Sequence, residues 1–253
     1  MMNPYSLENK TIFVTGASSG IGKATALVCA QLGATLIITG RNEERLNGTL
    51  KELNAISEKP HQMVVADLTE KAEMQKLVEQ LPKIDGISCN TGITKALLIK
   101  FIKDEDIHNL FETNTFSQVN LIQSLIKNKK FNKPSSVVLT ASIGGVICYV
   151  NGNAIYGMSK AALNSFMKYA AIEFSGKQIR FNSVCPGMIE TNMTQSINEL
   201  SEEDEKRHKQ EYLLKRYGRP EEVAYAICFL LSDASSFITG QSIVIDGGYS
   251  INH

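Results

Sequence analysis

Tyr156 and Lys160 stand four residues apart in a stretch with helical patterning, so both side chains share one face. An ammonium beside a phenol favours the phenolate and lowers the phenol pKa from about 10, which makes tyrosine usable as an acid or base near neutrality. Spacing alone is a weak signal. Ser142 adds to it, because it follows the apolar run 136–141 and ends a strand where a hydroxyl can face the same crevice. In open α/β sheets, ligands bind beyond the carboxyl ends of the strands. The three side chains together suit proton transfer at an oxygen.

Near the amino terminus, Thr11-Ile12-Phe13-Val14 runs into Thr15-Gly16-Ala17-Ser18-Ser19-Gly20-Ile21-Gly22. A tight strand-to-helix turn needs residues that tolerate positive φ, and a pyrophosphate must approach the N–H groups of the helix start. Gly16, Gly20 and Gly22 meet both needs, and Ser18 and Ser19 offer hydroxyls. The spacing is G-x-x-x-G-x-G, not the commoner G-x-G-x-x-G. A glycine-rich turn before a capped helix is the alternative, which the position after the first strand disfavours. The second strand ends in Thr39-Gly40-Arg41-Asn42. No carboxylate is there to accept bonds from an adenosine ribose, and Arg41 can pair with a 2′-phosphate. The pattern favours NADP(H) over NAD(H), unless Arg41 is only a solvated loop residue.

Positioning these groups falls to an alternation of short apolar runs and helical periods. Strands are expected at 11–15, 35–39, 62–66, 84–89, 136–141, 179–185 and 242–246. Helices are expected at 20–32, 42–56, 70–81, 103–128, 153–175 and 219–232. Continuous apolar strands suit a parallel sheet covered on both faces, and strand–helix repetition means right-handed crossovers. The expectation is a Rossmann-type, doubly wound, seven-stranded parallel sheet in a single domain spanning 1–253. The chain has 253 residues, 43% apolar and 21% charged, which suits one large α/β domain. Residues 199–211 place acidic before basic side chains, as a solvated helix would. Their place before the last helix also permits 194–217 to act as a lid.

Zero formal net charge gives no electrostatic footprint for nucleic acid or an anionic membrane. Five scattered cysteines without a C-x-x-C pair, and four unclustered histidines, point away from disulfides and metal. The polar start and the absence of a long apolar stretch make the cytoplasm the expected location.

The whole chain resembles the short-chain dehydrogenase/reductase family. The segments that carry the resemblance are Thr15–Gly22, Asp67-Leu68, Cys89-Asn90-Thr91-Gly92, Thr113-Asn114, Ser142, Tyr156-Gly-Met-Ser-Lys160, Asn182-Ser-Val-Cys-Pro186-Gly187 and 238–248. Their order and spacing are far more specific than any one of them. The resemblance implies that Tyr156 is the proton donor in ketone reduction and that Lys160 binds the nicotinamide ribose and holds the phenol pKa down. It further implies that Ser142 polarises the carbonyl and that Asn114 positions a water between Lys160 and solvent. For the cofactor, it implies contacts from Ile21, from Asp67 and Leu68 near adenine, from Asn90 and Gly92 near ribose, and from Pro186, Gly187, Ile189 and Thr191 near the carboxamide.

Three departures border the substrate side. Cys89 and Thr91 replace the family's usual asparagine and alanine, the Ser142-to-Tyr156 gap is one residue longer than usual, and Leu213 replaces a proline before Arg216. Within the family the chain looks most like 3-oxoacyl-[acyl carrier protein] reductases, which implies an acyl-thioester ketone. Lys129, Lys130, Lys133 and Lys177 would then meet an acidic acyl carrier protein. The family also implies a homotetramer built on the helices at 103–128 and 153–175. A sugar or other secondary-alcohol dehydrogenase keeps the same features, and a non-catalytic dinucleotide sensor is the alternative of another class.

Overall fold

The computed structural model describes residues 3–195 and 201–252. In chain order the elements are β1 (Thr11–Thr15), α1 (Gly20–Gln31), β2 (Thr35–Gly40), α2 (Glu43–Ile56), β3 (Gln62–Val65), α3 (Lys71–Gln80) and β4 (Ile84–Cys89). They continue with α4 (Asp104–Phe111), α5 (Ser117–Lys127), β5 (Phe131–Thr140), α6 (Ala154–Phe174) and β6 (Ile179–Pro186). The last are α7 (Asn192–Gln195), α8 (Glu202–Gln210), α9 (Pro220–Leu231) and β7 (Ser242–Ile245).

The seven strands form one parallel sheet in the order β3-β2-β1-β4-β5-β6-β7. Alternate residues of each strand point to opposite faces. Ile12, Val14, Ile38, Val138 and Val184 pack under α1 and α9 on one side. Phe13, Ile37, Ile87, Val137 and Phe181 pack under α3, α5 and α6 on the other. Both faces being apolar explains why the strands read as continuous apolar runs. The order reverses between β1 and β4, which opens a crevice at their carboxyl ends. Where α1 crosses α9, the buried Cys29 and Cys228 thiols lie 3.3 Å apart.

Two elements differ from expectation. The β5 strand begins five residues early because Phe131 already pairs with Ile84 at the edge of the ladder. The helix expected over 103–128 is interrupted by a π-turn at Glu112–Phe116, which separates α4 from α5. Asn114 sits in that wide turn, fully buried, and its amide is bound to the backbone of Ile93 across the crevice. Wide turns of this kind concentrate at functional sites.

Much of the apolar surface on the helices expected to build a tetramer serves the core. Leu121, Ile122 and Leu125 are fully buried, and Phe166 and Phe174 pack against the same cluster. Tyr169 remains exposed, as do Phe116, Met158 and Ile172 on the same helical layer.

Candidate active site

The β1–α1 turn forms the floor of a cleft of about 330 Å³. Gly16 and Gly20 hold φ of 64° and 54°. A Cβ on Gly22 would lie 2.3 Å from the Gly16 carbonyl oxygen, so only glycine lets α1 begin this close to β1. Ser19 caps α1 in an extended conformation without a side-chain cap bond. The first-turn N–H groups of α1, with Ser18, Ser19 and Ile21 beside them, therefore face a cleft suited to a pyrophosphate.

Arg41, Asp67 and Leu68 close the far end of this cleft. Asp67 accepts bonds from the Thr69 amide and hydroxyl and pairs loosely with Arg41 at 3.5 Å. Partial burial pushes its carboxyl up, but those bonds and the Arg41 charge outweigh it and hold it below its ordinary value. Arg45, which sequence reasoning missed, lines the same end. The only signal for it was its position one turn inside α2, where Asn42 caps the helix by accepting from the Arg45 N–H at 2.8 Å.

Asn90 lines the cleft, yet its side chain is spent on the scaffold. Its Nδ2 donates to the Thr15 carbonyl, and its Oδ1 accepts from the Thr140 hydroxyl at 2.8 Å. It thus ties β1, β4 and β5 together, and only its backbone is left to face a ribose. Thr91 joins the same network through the Thr15 hydroxyl at 3.2 Å. Gly92 packs against Lys160: a Cβ there would stand 3.2 Å from the lysine Nζ.

Ser142, Tyr156 and Lys160 meet in a narrower gap of about 110 Å³ that also touches Pro186, Gly187, Ile189 and Thr191. Tyr156 and Lys160 project from α6, and Ser142 follows β5. The Tyr156 phenol hydrogen bonds the Ser142 hydroxyl, which also accepts from the Gly144 N–H at 3.1 Å. Lys160 is buried, its Nζ donating to the Thr140 carbonyl at 2.9 Å and lying 5.9 Å from the centre of the Tyr156 ring. Burial lowers the lysine pKa to about 8, opposed by the neighbouring thiols Cys185 and Cys89. Burial also raises the Tyr156 pKa, and the bond to Ser142 offsets this only in part. Burial thus acts on the phenol in the opposite sense to the lowering expected from Lys160.

The scaffold holds the Asn114 side chain: its Nδ2 donates to the Ile93 carbonyl at 2.9 Å and to the Ser159 hydroxyl at 3.0 Å, and its Oδ1 accepts from the Ile93 N–H at 2.8 Å. Both hydrogens of that amide are used, so Asn114 can bind a water only as an acceptor, at its backbone carbonyl or at the second lone pair of Oδ1. Ser159, next to Lys160, passes the connection on by donating to the Tyr156 carbonyl at 2.7 Å.

Beyond Ser142 and Tyr156 opens a second pocket of about 280 Å³. Its walls come from places that sequence spacing does not connect. The 143–148 loop lies against α6 at Gly145, where a Cβ would meet the Gly157 carbonyl at 2.0 Å. Gly187 packs on Asp246 after β7, and the Thr194 hydroxyl staples the segment after it, donating to the Ile189 carbonyl and accepting from the Thr191 N–H. The far wall is aromatic. His208 of α8 lies 5.7 Å from Tyr212 and 5.9 Å from Tyr249, and its Nδ1 is 2.7 Å from the Tyr217 hydroxyl. No motif announced this cluster. The expected lid residues 194–217 thus contribute His208 and Tyr212 directly, while 196–200 lie outside the described residues. Leu213, the residue standing for a proline, packs against the strained glycine Gly248 (φ 81°).

The four lysines expected to meet a carrier protein lie elsewhere. Lys129, Lys130 and Lys133 surround the start of β5, roughly 35 Å along the chain from Ser142 at about 3.3 Å per residue. Lys130 is pinned by the carbonyls of Glu79 and Leu81, and Lys177 lies over the Phe174 ring. Within one subunit these lysines stand at the opposite end of the sheet from the pocket.

A family model described as Enoyl-(Acyl carrier protein) reductase matches residues 16–250. The chain is 39% identical to the 3-oxoacyl-[acyl-carrier-protein] reductase FabG of Thermotoga maritima, over 97% of this chain and 99% of that one. Among solved structures, a short-chain type dehydrogenase/reductase from Mycobacterium marinum superposes with a TM-score of 0.87 at 29% identity, covering 97% of each chain. An actinorhodin polyketide ketoreductase with NADPH superposes with the same TM-score at 28% identity, covering 99% of each. With the glycine turn, the serine, the tyrosine and the lysine all converging on one crevice, the chain belongs to the short-chain dehydrogenase/reductase family, whose members are oxidoreductases acting on ketones and alcohols.

Proposed function

We propose that the protein is an NADPH-dependent reductase of 3-oxoacyl thioesters. The observation that carries this reading is the convergence of Ser142, Tyr156 and Lys160 between a pyrophosphate cleft and a mostly apolar pocket. Two arginines, Arg41 and Arg45, at the adenosine end support a 2′-phosphate over a bare ribose. Ile143, Met188, Tyr212 and Tyr249 in the pocket suit an acyl chain. A polyol would need several hydrogen-bonding partners there, which weighs against the sugar dehydrogenase reading.

The fit of a dinucleotide rests on the open α1 start and the backbone approach that Gly22 permits. When bound, it supplies the hydride. Ser18, Ser19 and the first-turn N–H groups of α1 would hold its phosphates, Arg41 and Arg45 its 2′-phosphate, and Lys160, Ile189 and Thr191 its nicotinamide half. The residues of the chain handle the oxygen. Ser142 donates to the ketone oxygen as charge develops on it, and Tyr156 delivers the proton. Lys160, its Nζ 5.9 Å from the centre of the Tyr156 ring, supplies the proton that restores the phenol.

The same groups run in both directions, so the test is a comparison of substrates. Acetoacetyl thioester, a sugar ketone and a steroid ketone are followed side by side by NADPH absorbance, then repeated with NADH. Fastest turnover of the thioester with NADPH is expected. Preference for the sugar ketone would replace the substrate assignment. Tight NADPH binding with no oxidation on a broad ketone panel would favour a sensor.

A homotetramer remains part of the reading, supported by the exposed Phe116, Met158, Tyr169 and Ile172. Sedimentation as a monomer would remove it. Such an assembly is also the route by which Lys129 or Lys177 could border a partner's pocket and meet an acyl carrier protein. Five free cysteines are in keeping with a reducing compartment such as the cytoplasm, and no described helix is long and apolar enough to cross a membrane.

A further inference from the structure

Gln118 on α5 is fully buried, an uncommon place for a glutamine. Its Nε2 donates to two backbone carbonyls at once, those of Thr91 and Asn114, each at 2.8 Å. Its Oε1 is buried with no hydrogen-bond partner among the described residues. Buried polar atoms nearly always find partners, and an apolar side chain of the same length would avoid an orphan acceptor. The two donated bonds are what distinguish glutamine from such a side chain.

The Thr91 carbonyl leads into the corner that packs on Lys160. Thr91 leads into Gly92, where a Cβ would stand 3.2 Å from the lysine Nζ and 3.4 Å from Asn114 Oδ1. Both hydrogens of the Asn114 side-chain amide are taken by Ile93 and Ser159 and its Oδ1 accepts from the Ile93 N–H, which fixes the side chain and leaves the backbone carbonyl free to take part in a proton path. That carbonyl lies in the π-turn, where the regular helical bonding pattern is broken. A carbonyl offers two acceptor directions, and Gln118 fills one and orients the other.

We propose that Gln118 is a positioning residue for proton supply, holding the Thr91–Gly92 corner and the Asn114 carbonyl in fixed places beside Lys160. The inference rests on the assignment of proton transfer to Tyr156 and Lys160.

The test is the Gln118→Met variant, similar in length but without donors, measured beside Gln118→Glu and Tyr156→Phe. For Gln118→Met, kcat in ketone reduction should fall about 10- to 100-fold, the scale of a misplaced catalytic group. KM for NADPH should hold, and the pH at which kcat declines should move. For Gln118→Glu, activity should recover as pH falls and the carboxyl gains a proton to donate. This second variant also decides the matter if the methionine protein does not fold. Unchanged kcat and pH profile in Gln118→Met would overturn the proposal. So would a lower melting temperature with kcat per folded molecule and pH profile intact, since that is packing alone. If Tyr156→Phe keeps near-normal turnover, the underlying proton-transfer assignment fails; if it is silent while Gln118→Met is normal, only the role of Gln118 fails.

Discussion

The nucleotide cleft and the ketone pocket meet at Ser142 and Tyr156, yet they are built by opposite means. The cleft is made by backbone: a turn with two positive-φ glycines, an open helix start, and Gly22 pressed to within a Cβ's reach of Gly16. The pocket is made by side chains from many separate places, among them Thr94 and Ala96 after β4, the 143–153 loop, the segment after Gly187, α8, and Tyr249. A site made of backbone tolerates few sequences, whereas a site made of packed side chains can be rebuilt many ways. Binding of a shared cofactor and choice of a particular ketone therefore sit on different parts of the molecule.

That division can be broken at graded strengths. The largest effect is expected at the junction. Tyr156→Phe should lower kcat by about 10³-fold or more while NADPH affinity, read by fluorescence titration, stays within about twofold. Gly22→Ala should come next, because its methyl cannot clear the Gly16 carbonyl. NADPH affinity should drop about 100-fold, with a lower melting temperature. Replacing Arg41 and Arg45 together by alanine should raise KM for NADPH about tenfold or more and leave KM for NADH nearly unchanged. Acidity gives a milder handle. Burial brings Lys160 from 10.5 to about 8, so its ammonium is intact well below that pH and is lost as pH rises through it. The reduction rate in a pH series should therefore fall on the alkaline side of about 8, and a flat profile up to pH 10 would contradict the role given to Lys160. The smallest effect is expected from His208→Ala, which should change KM for the ketone by a few-fold, about 1 kcal/mol, without altering NADPH binding.

What the sequence disclosed follows the same line. The seven parallel strands, both helix layers and the glycine turn were legible because parallel strands and tight turns restrict residue type at each position. Ser142, Tyr156 and Lys160 were legible as a set because their spacing matched a strand end and one helix face. The burial of the phenol was not, because it depends on how α6 packs against the rest of the chain. Asn114 was identified, but its side chain serves Ile93 and Ser159, a fact that depends on a π-turn no periodicity announces. Arg45 lay hidden among ordinary helix charges. His208, Tyr212 and Tyr249 span 42 positions of sequence and share only the pocket they line.

The wide turn at Glu112–Phe116 holds one residue more than a regular helix needs. Excising any one of those five would let α4 and α5 merge into an unbroken rod, a change the hydrophobic layer could accept. The flanking helices would keep their faces, since the wide turn already absorbs the surplus residue, but the widened stretch of backbone that aims Asn114 and Gln118 would close. Asn114 and Gln118 could then no longer face their present carbonyls together. A shorter chain of this kind could keep its shape and lose its chemistry, so that single surplus position separates an enzyme from a well-folded relic.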